Sequence, residues 1–226
     1  MQRIAFTAAA SLLLGLAGCS SGGFRATRPL NMQVEWDGYA RIVVETRNGS
    51  VDLAPETRGD LAITGETFVK AASPETARRY LDDIRVVAAP DPDDPQTIAV
   101  RVEYPRSLDR HSPGAKLVLR MPAHCATEIR TGNGAVHVAE LDAALDVRTN
   151  NGAVRVENIG GPTAVRTTNG AITARNVRSD VRAESSNGAI ALHEVRGNVS
   201  AHTSNGRISA VVTPGPNPTV ELVTSN

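Results

Sequence analysis

Five histidines, two cysteines and a balanced set of charges are the groups in this chain that could do chemistry. His111, His124, His137, His193 and His202 include no pair at metal-ligand spacing, and neither HExxH nor Cys-x-x-Cys occurs. Cys125 follows His124, but neighbours on a strand point to opposite faces, so adjacency makes no dyad. No basic cluster surrounds Cys125 in the sequence to activate a thiolate, and it reads as a small buried apolar residue. No GxSxG and no Walker motif is present. The acidic stretch Asp91-Pro92-Asp93-Asp94-Pro95 lacks a spaced calcium-ligand set and reads as a solvated turn. These groups predict no catalytic residue, no metal site and no cofactor.

Composition narrows the classes further. The 226 residues carry 24 Lys+Arg against 24 Asp+Glu, for a formal net charge of zero. Such a chain has no global field to hold a polyanion, which argues against nucleic-acid binding. Aromatic residues make up only 3% and none follows Tyr104, so the second half must build its core from aliphatic side chains. It also has no ring on which a base or sugar could stack.

Arg3 is the only charge before Phe24, and a thirteen-residue apolar run follows it. A bilayer-spanning helix needs about 20 apolar residues, so this run is too short to span and reads as a secretory signal. It ends Leu16-Ala17-Gly18-Cys19, which resembles the lipobox of bacterial lipoproteins. The resemblance implies removal of residues 1–18, multiple acylation of Cys19 and a stable anchor. Ser20, in place of Asp, implies transfer to the outer membrane. Residues 19–30 then read as the lipidated cysteine and a flexible polar tether, and 31–226 as the folded domain.

The elements that would position any site are set by a repeat. Asn-Gly occurs at Asn133, Asn151, Asn169, Asn187 and Asn205, each 18 residues after the last. A hydroxyl residue stands two before each Asn: Thr131, Thr149, Thr167, Ser185, Thr203. Aliphatic residues recur three and five after it, and again eight, twelve and fourteen after, with Thr163 the polar exception. Alternation within each stretch is the signature of a strand with one buried face. The breaks fall at turn residues, where Gly and Asn tolerate positive φ. A hairpin reading leaves the constant unit length unexplained; a parallel β-solenoid with 18-residue coils accounts for it, equal positions stacking ~4.8 Å apart. A left-handed hexapeptide helix would want an aliphatic residue every six, yet stepping from Val136 gives Asp142 and Arg148, which favours a right-handed coil. The repeated Asn residues are expected to form an amide ladder along the axis.

The pattern reappears at Asn48-Gly49, with Ile42, Val44 and Thr46 before it and Val51 and Leu53 after it. Leu61 and Ile63 read as the returning strand of that first coil. A non-repeating insert, about 66–122, separates it from Asn133. Ser73 as N-cap and Pro74 at the first helical position predict a short helix over 73–84, and strands are predicted near 84–88, 97–104 and 116–121. The insert reads as a β-rich flank rather than a separate domain, in an all-β fold.

Polysaccharide-processing enzymes on β-helices need clustered carboxylates. Seven residues after each Asn the chain places Glu140, Asn158, Asn176 and Glu194. The two acids would lie roughly 14 Å apart, beyond the ~6.5–9.5 Å of an inverting pair. Three residues before each Asn stand Arg130, Arg148, Arg166, Glu184 and His202. The arginines are a candidate anion-binding face for an envelope glycan, an anionic lipid or another envelope protein. At the other end, Val220, Leu222 and Thr224 resume the alternation after a proline-rich stretch. That reads as an open rung, through a sequence cut short or an edge that pairs with a second copy or a partner.

The T-x-N-G-x-[IV]-x-[VAL] coils behind an export signal resemble the bacterial putative-adhesin family, a β-helical domain of unknown function, over roughly residues 32–226. The resemblance implies a non-catalytic, lipid-anchored cell-envelope protein with an adhesive or scaffolding role. The alternatives are a polysaccharide-processing β-helix enzyme and a self-assembling structural solenoid.

Overall fold

A two-residue alternation restarted every 18 residues can bury only one face of each strand. The chain satisfies it by winding into coils whose inward faces share one core. The computed structural model describes residues 23–213 and 219–225. Cys19 and the export segment before it lie outside the described residues, as do the proline-rich stretch 214–218 and Asn226.

The elements begin β1 (Phe24–Glu35), β2 (Arg41–Asn48), β3 (Val51–Pro55), β4 (Asp60–Ala71), α1 (Pro74–Asp82), β5 (Arg85–Pro90), β6 (Thr97–Glu103) and β7 (Gly114–Met121). A 3-10 turn at Arg106–His111 precedes β7. The repeats follow as strand pairs: β8 (Ala126–Asn133) with β9 (Val136–Ala139), β10 (Leu145–Asn151) with β11 (Val154–Ile159), and β12 (Thr163–Asn169) with β13 (Ile172–Val177). Then come β14 (Val181–Asn187) with β15 (Ile190–Val195), β16 (Val199–Asn205) with β17 (Ile208–Val212), and β18 (Val220–Thr224). Two nine-stranded sheets result, ordered β1-β4-β7-β3-β9-β11-β13-β15-β17 and β18-β16-β14-β12-β10-β8-β2-β6-β5. Each repeat gives its first strand to the second sheet and its second strand to the first. The fold is a parallel β-solenoid with a β-rich flank.

The main core is an aliphatic column between the sheets, and a second, smaller cluster of Val69, Leu81, Ile84 and Leu108 packs α1 and the 3-10 turn on β4. Val147, Val156, Ile159, Ile172, Val177, Leu192 and Val195 are each fully buried, and equal positions stack in register. Thr163, the polar exception, donates its hydroxyl to the Gly161 carbonyl at 3.2 Å, so burial leaves no orphaned group. Cys125 is 2% exposed in this core, and burial pushes its thiol up to about 12. It is packing material.

The coil at β2–β3 stacks directly on β8–β9, with Asn48 opposite Asn133, although 85 residues separate them. Its other side is covered from within the insert. β6 pairs in parallel with β2, Ile42 opposite Ile98, and β7 with β3, Leu53 opposite Leu119. The stretch expected to be non-repeating therefore contains a coil of its own, and coil order in space differs from order in the chain. The predicted helix is present as α1, where the Ser73 Oγ accepts from the Thr76 N–H at 3.2 Å. Strands β5, β6 and β7 lie where strands were predicted.

Two further expectations are corrected. Leu61 and Ile63 are fully buried in the main core, but β4 runs antiparallel to β7 in the first sheet and is no returning coil strand. Arg58, paired with Glu56 at 3.1 Å and Asp60 at 2.6 Å, holds a turn that reverses the chain within the sheet. Alternation fixes which side chains face inward and leaves sheet and direction open. Residues 24–30 are not tether: β1 pairs antiparallel with β4 from Phe24 opposite Ala71 to Glu35 opposite Asp60. Leu30, Met32 and Val34 pack on the core, and Pro29 sits on an edge strand, where a missing N–H is tolerated.

Candidate functional site: the arginine row and the Asn-Gly corner

On β8, β10 and β12 the pleat turns Ile129, Val147 and Val165 inward and the next residue outward. Arg130, Arg148 and Arg166 are thus direct cross-strand neighbours on the outer face of the second sheet, as the spacing predicted. The row continues to Glu184 and His202 on one side, and to Glu45 and Arg101 on the other.

Every arginine in the row has an acid. Arg101 meets Glu45 at 3.1 Å and Asp91 at 2.8 Å, and Arg130 meets Glu45 at 2.8 Å. Arg148 meets Asp146 at 2.8 Å, and Arg166 meets Glu184 at 2.8 Å. The hydrogen bond from Arg166, reinforced by Arg182, holds the Glu184 carboxyl below the usual carboxylate range. The case of Arg130 differs, because its second acid, Glu128 at 2.6 Å, has a side chain only 4% exposed and is also bonded by Arg41. An exposed pair is worth about 0.2–1 kcal/mol, so an anionic ligand can displace the partners of Arg148 and Arg166 cheaply. Taking Arg130 from a buried carboxylate costs more. A shallow groove of about 530 Å³ runs beside the row, lined by Arg47, Arg101, Arg130 and Arg148 with Glu45 and Glu103.

The Asn-Gly corner is structural. Asn133 Nδ2 donates to Asn48 Oδ1 at 2.8 Å, Asn151 to Asn133 at 2.7 Å, Asn169 to Asn151 and Asn187 to Asn169 at 2.8 Å, and Asn205 to Asn187 at 3.0 Å. The ladder ends where Asn48 donates to the Pro113 carbonyl at 2.8 Å. Inside it, buried hydroxyls of Thr167, Ser185 and Thr203 bond the glycine carbonyl of the preceding coil at 3.4, 3.1 and 3.0 Å. The expected role of the glycines is corrected. Gly134, Gly152, Gly170, Gly188 and Gly206 have no positive φ; a Cβ on each would lie 1.9–2.1 Å from the glycine carbonyl oxygen of the coil beneath. Positive φ falls instead at Glu140, Asn158, Asn176 and Glu194, between 50° and 59°. These residues turn the opposite corner, where Asn176 donates to Asn158 at 2.7 Å.

The sequence reading missed one constellation. On the outer face of the first sheet, His137 Nδ1 is 2.9 Å from Asp52, which also accepts from Arg120 at 2.8 Å. Both residues stand four after an Asn of the ladder, so coil equivalence was the signal that could have paired them. Among the described residues no group of three His, Cys, Asp or Glu is arranged to hold a metal.

No family model and no curated protein matches the chain. Solved structures do. A putative cell adhesion protein from Clostridium sporogenes superposes with a TM-score of 0.51 at 10% identity, over 83% of this chain and 100% of that one. A putative lipid binding protein from Parabacteroides distasonis gives 0.42 at 12% identity, over 91% and 95%. A putative adhesin from the same organism gives 0.33 at 11%, over 89% and 98%. The first likeness speaks for a shared two-sheet solenoid fold; the lower two scores add nothing to it.

Proposed function

We propose that the protein is a non-catalytic, adhesin-like display protein of the cell envelope, anchored in the outer membrane through lipid on Cys19. The observation that carries the display role is the outer face of the second sheet. Its side chains stand in fixed register, and Arg148 and Arg166 are more than half exposed, at 53% and 59%. An acidic envelope glycan fits that spacing of cations, one per coil. The fold likeness to the solved putative cell adhesion protein supports the reading, and the Leu16-Ala17-Gly18-Cys19 segment supports the anchor.

Two experiments test the two halves. Cys19→Ala is expected to move the protein from the membrane fraction to a soluble or unprocessed form. Mass spectrometry of the wild-type mature protein should show an acylated N-terminal cysteine, and an unmodified N-terminal region would refute the anchor. Binding to an immobilised polyuronate is expected to weaken with salt. Arg148→Ala combined with Arg166→Ala should lower it by about threefold to tenfold. Unchanged affinity for every polyanion tested would refute the face as a ligand surface.

A further inference from the structure

Two residues beyond each arginine of the row, a second outward row crosses the same sheet. Between the registered pairs Thr46–Thr131 and Asn48–Asn133 it holds Arg47 and Gly132, and on the next coil Asn150. The coils after that place Thr168, Ser186 and Ser204 there. Gly132 is the member of this row without a side chain, and a Cβ on it would lie 2.7 Å from the Arg47 carbonyl oxygen. The row is therefore notched at Gly132. The notch lies in the groove of about 530 Å³ beside the arginines, a volume within the ~300–1,000 Å³ of small-molecule sites. Arg47 and Asn150 stand on either side of it, each one strand away at ~4.8 Å. Arg130 stands two residues back on β8, with Arg148 its neighbour on β10.

We propose that this notch seats the carboxylate of a uronate unit in an acidic glycan, with Arg47, Arg130 and Arg148 as the cations around it and Asn150 and Glu103 bonding sugar hydroxyls. The proposal rests on the reading of this face as a glycan surface. Arg130 is pinned, its Nε on Glu128 at 2.6 Å and its Nη1 on Glu45 at 2.8 Å, so one wall of the seat is set before any ligand arrives. Arg47 commits Nη1 to Asp109 at 2.6 Å, and Arg148 commits Nε and Nη2 to Asp146 at 3.3 and 2.8 Å. A guanidinium has five N–H donors, so both retain donors for a carboxylate. The Asn150 and Glu103 side chains line the groove, are exposed, and make no hydrogen bond or ion pair among the described residues. A bare inorganic anion would use the arginines alone and meet Glu103 as a like charge. A sugar acid uses both sets: its carboxylate takes the arginine donors, and its hydroxyls donate to Glu103 and bond the Asn150 amide.

The test is calorimetric titration of the full-length protein in detergent with trigalacturonate, its neutral methyl ester and inorganic sulfate. The acid trimer is expected to bind at least about tenfold more tightly than the ester, since the ester loses the charge-assisted bonds. Arg47→Gln and Asn150→Ala should each weaken it by about threefold to tenfold, with urea midpoints showing that both variants fold. Arg175→Gln, exposed on β13 of the first sheet, should leave the affinity unchanged. Acid and ester trimers binding alike overturn the seat, and so does an Arg47→Gln protein that binds as wild type. Sulfate binding as tightly as the acid trimer overturns the assignment to a sugar. The immobilised polyuronate separates the causes. A polymer that depends on Arg148 and Arg166 beside a trimer that ignores Arg47 brings down the seat alone, whereas a protein that binds neither brings down the glycan face with it.

Discussion

Gly170→Ala is expected to cost about 3–5 kcal/mol, read as a lower urea midpoint at unchanged slope. The added Cβ would sit 2.0 Å from the Gly152 carbonyl oxygen, 2.6 Å from its carbon and 3.2 Å from the Thr167 hydroxyl. None of these is the far end of a flexible side chain. The coil must lift by about an ångström to restore ordinary contact, and it cannot lift alone. The Gly152 N–H bond to the Asn169 carbonyl at 3.1 Å and the Asn169–Asn151 amide bond at 2.8 Å cross that gap, and the Gly170 N–H bond to the Asn187 carbonyl at 3.2 Å ties the same coil to the next one. Marginal stabilities of ~5–15 kcal/mol make such a loss large. Gly59→Ala is the control. Its Cβ meets nothing within 4 Å at a φ that any residue adopts, so it should change stability by no more than about 0.5 kcal/mol. Equal effects of the two substitutions would refute close approach as the reason for the repeated glycine.

The second large effect is expected at Glu128. Arg41→Met with Arg130→Met should destabilise by about 2–4 kcal/mol, because a carboxylate whose side chain is 4% exposed loses both cations that compensate it. Both arginines are about half exposed, so water can reach part of the site, which keeps the figure below that of a fully buried pair. Adding Glu128→Leu should restore at least about half of the loss, since a buried charge replaced by an apolar group of similar size is close to neutral. Arg148→Ala with Arg166→Ala should cost no more than about 1 kcal/mol, its pairs being on the surface. Chemical denaturation of the three variants therefore sorts the arginine row into a structural member and two available for a ligand. Similar losses for the two double variants would remove that distinction.

The coil repeat and its register were legible from the chain alone, because each unit repeats the same local conflict between aliphatic and polar side chains. Asn133 to Asn205 bond as an amide ladder because equal positions of equal coils must stack. The arginine neighbours follow from the same periodicity. The acids that neutralise them were less legible. Glu45 reaches both Arg130 and Arg101 across coils remote in sequence, and the buried Glu128 is paired with Arg41, 87 residues before it. The glycine requirement was visible as a conserved spacing within the chain, but its cause was misassigned, since steric clearance between coils leaves no trace in a single coil's composition.

By itself the sequence determined the period, the inward and outward faces, the short helix α1 and the solenoid class, all consequences of side-chain alternation and turn chemistry acting within a few residues. Only the tertiary structure decided that the β6–β7 coil slots beneath β2–β3 while β8–β9 takes the other side. It also decided that β4 reverses, that residues 24–30 pair as an edge strand, and that Glu128 is buried. Those outcomes depend on which exposed edge finds a partner of matching length and apolar face, a choice made between segments up to 85 residues apart. Local alternation is the same whichever edge is chosen, so it fixes the strand and leaves the neighbour to the packed molecule.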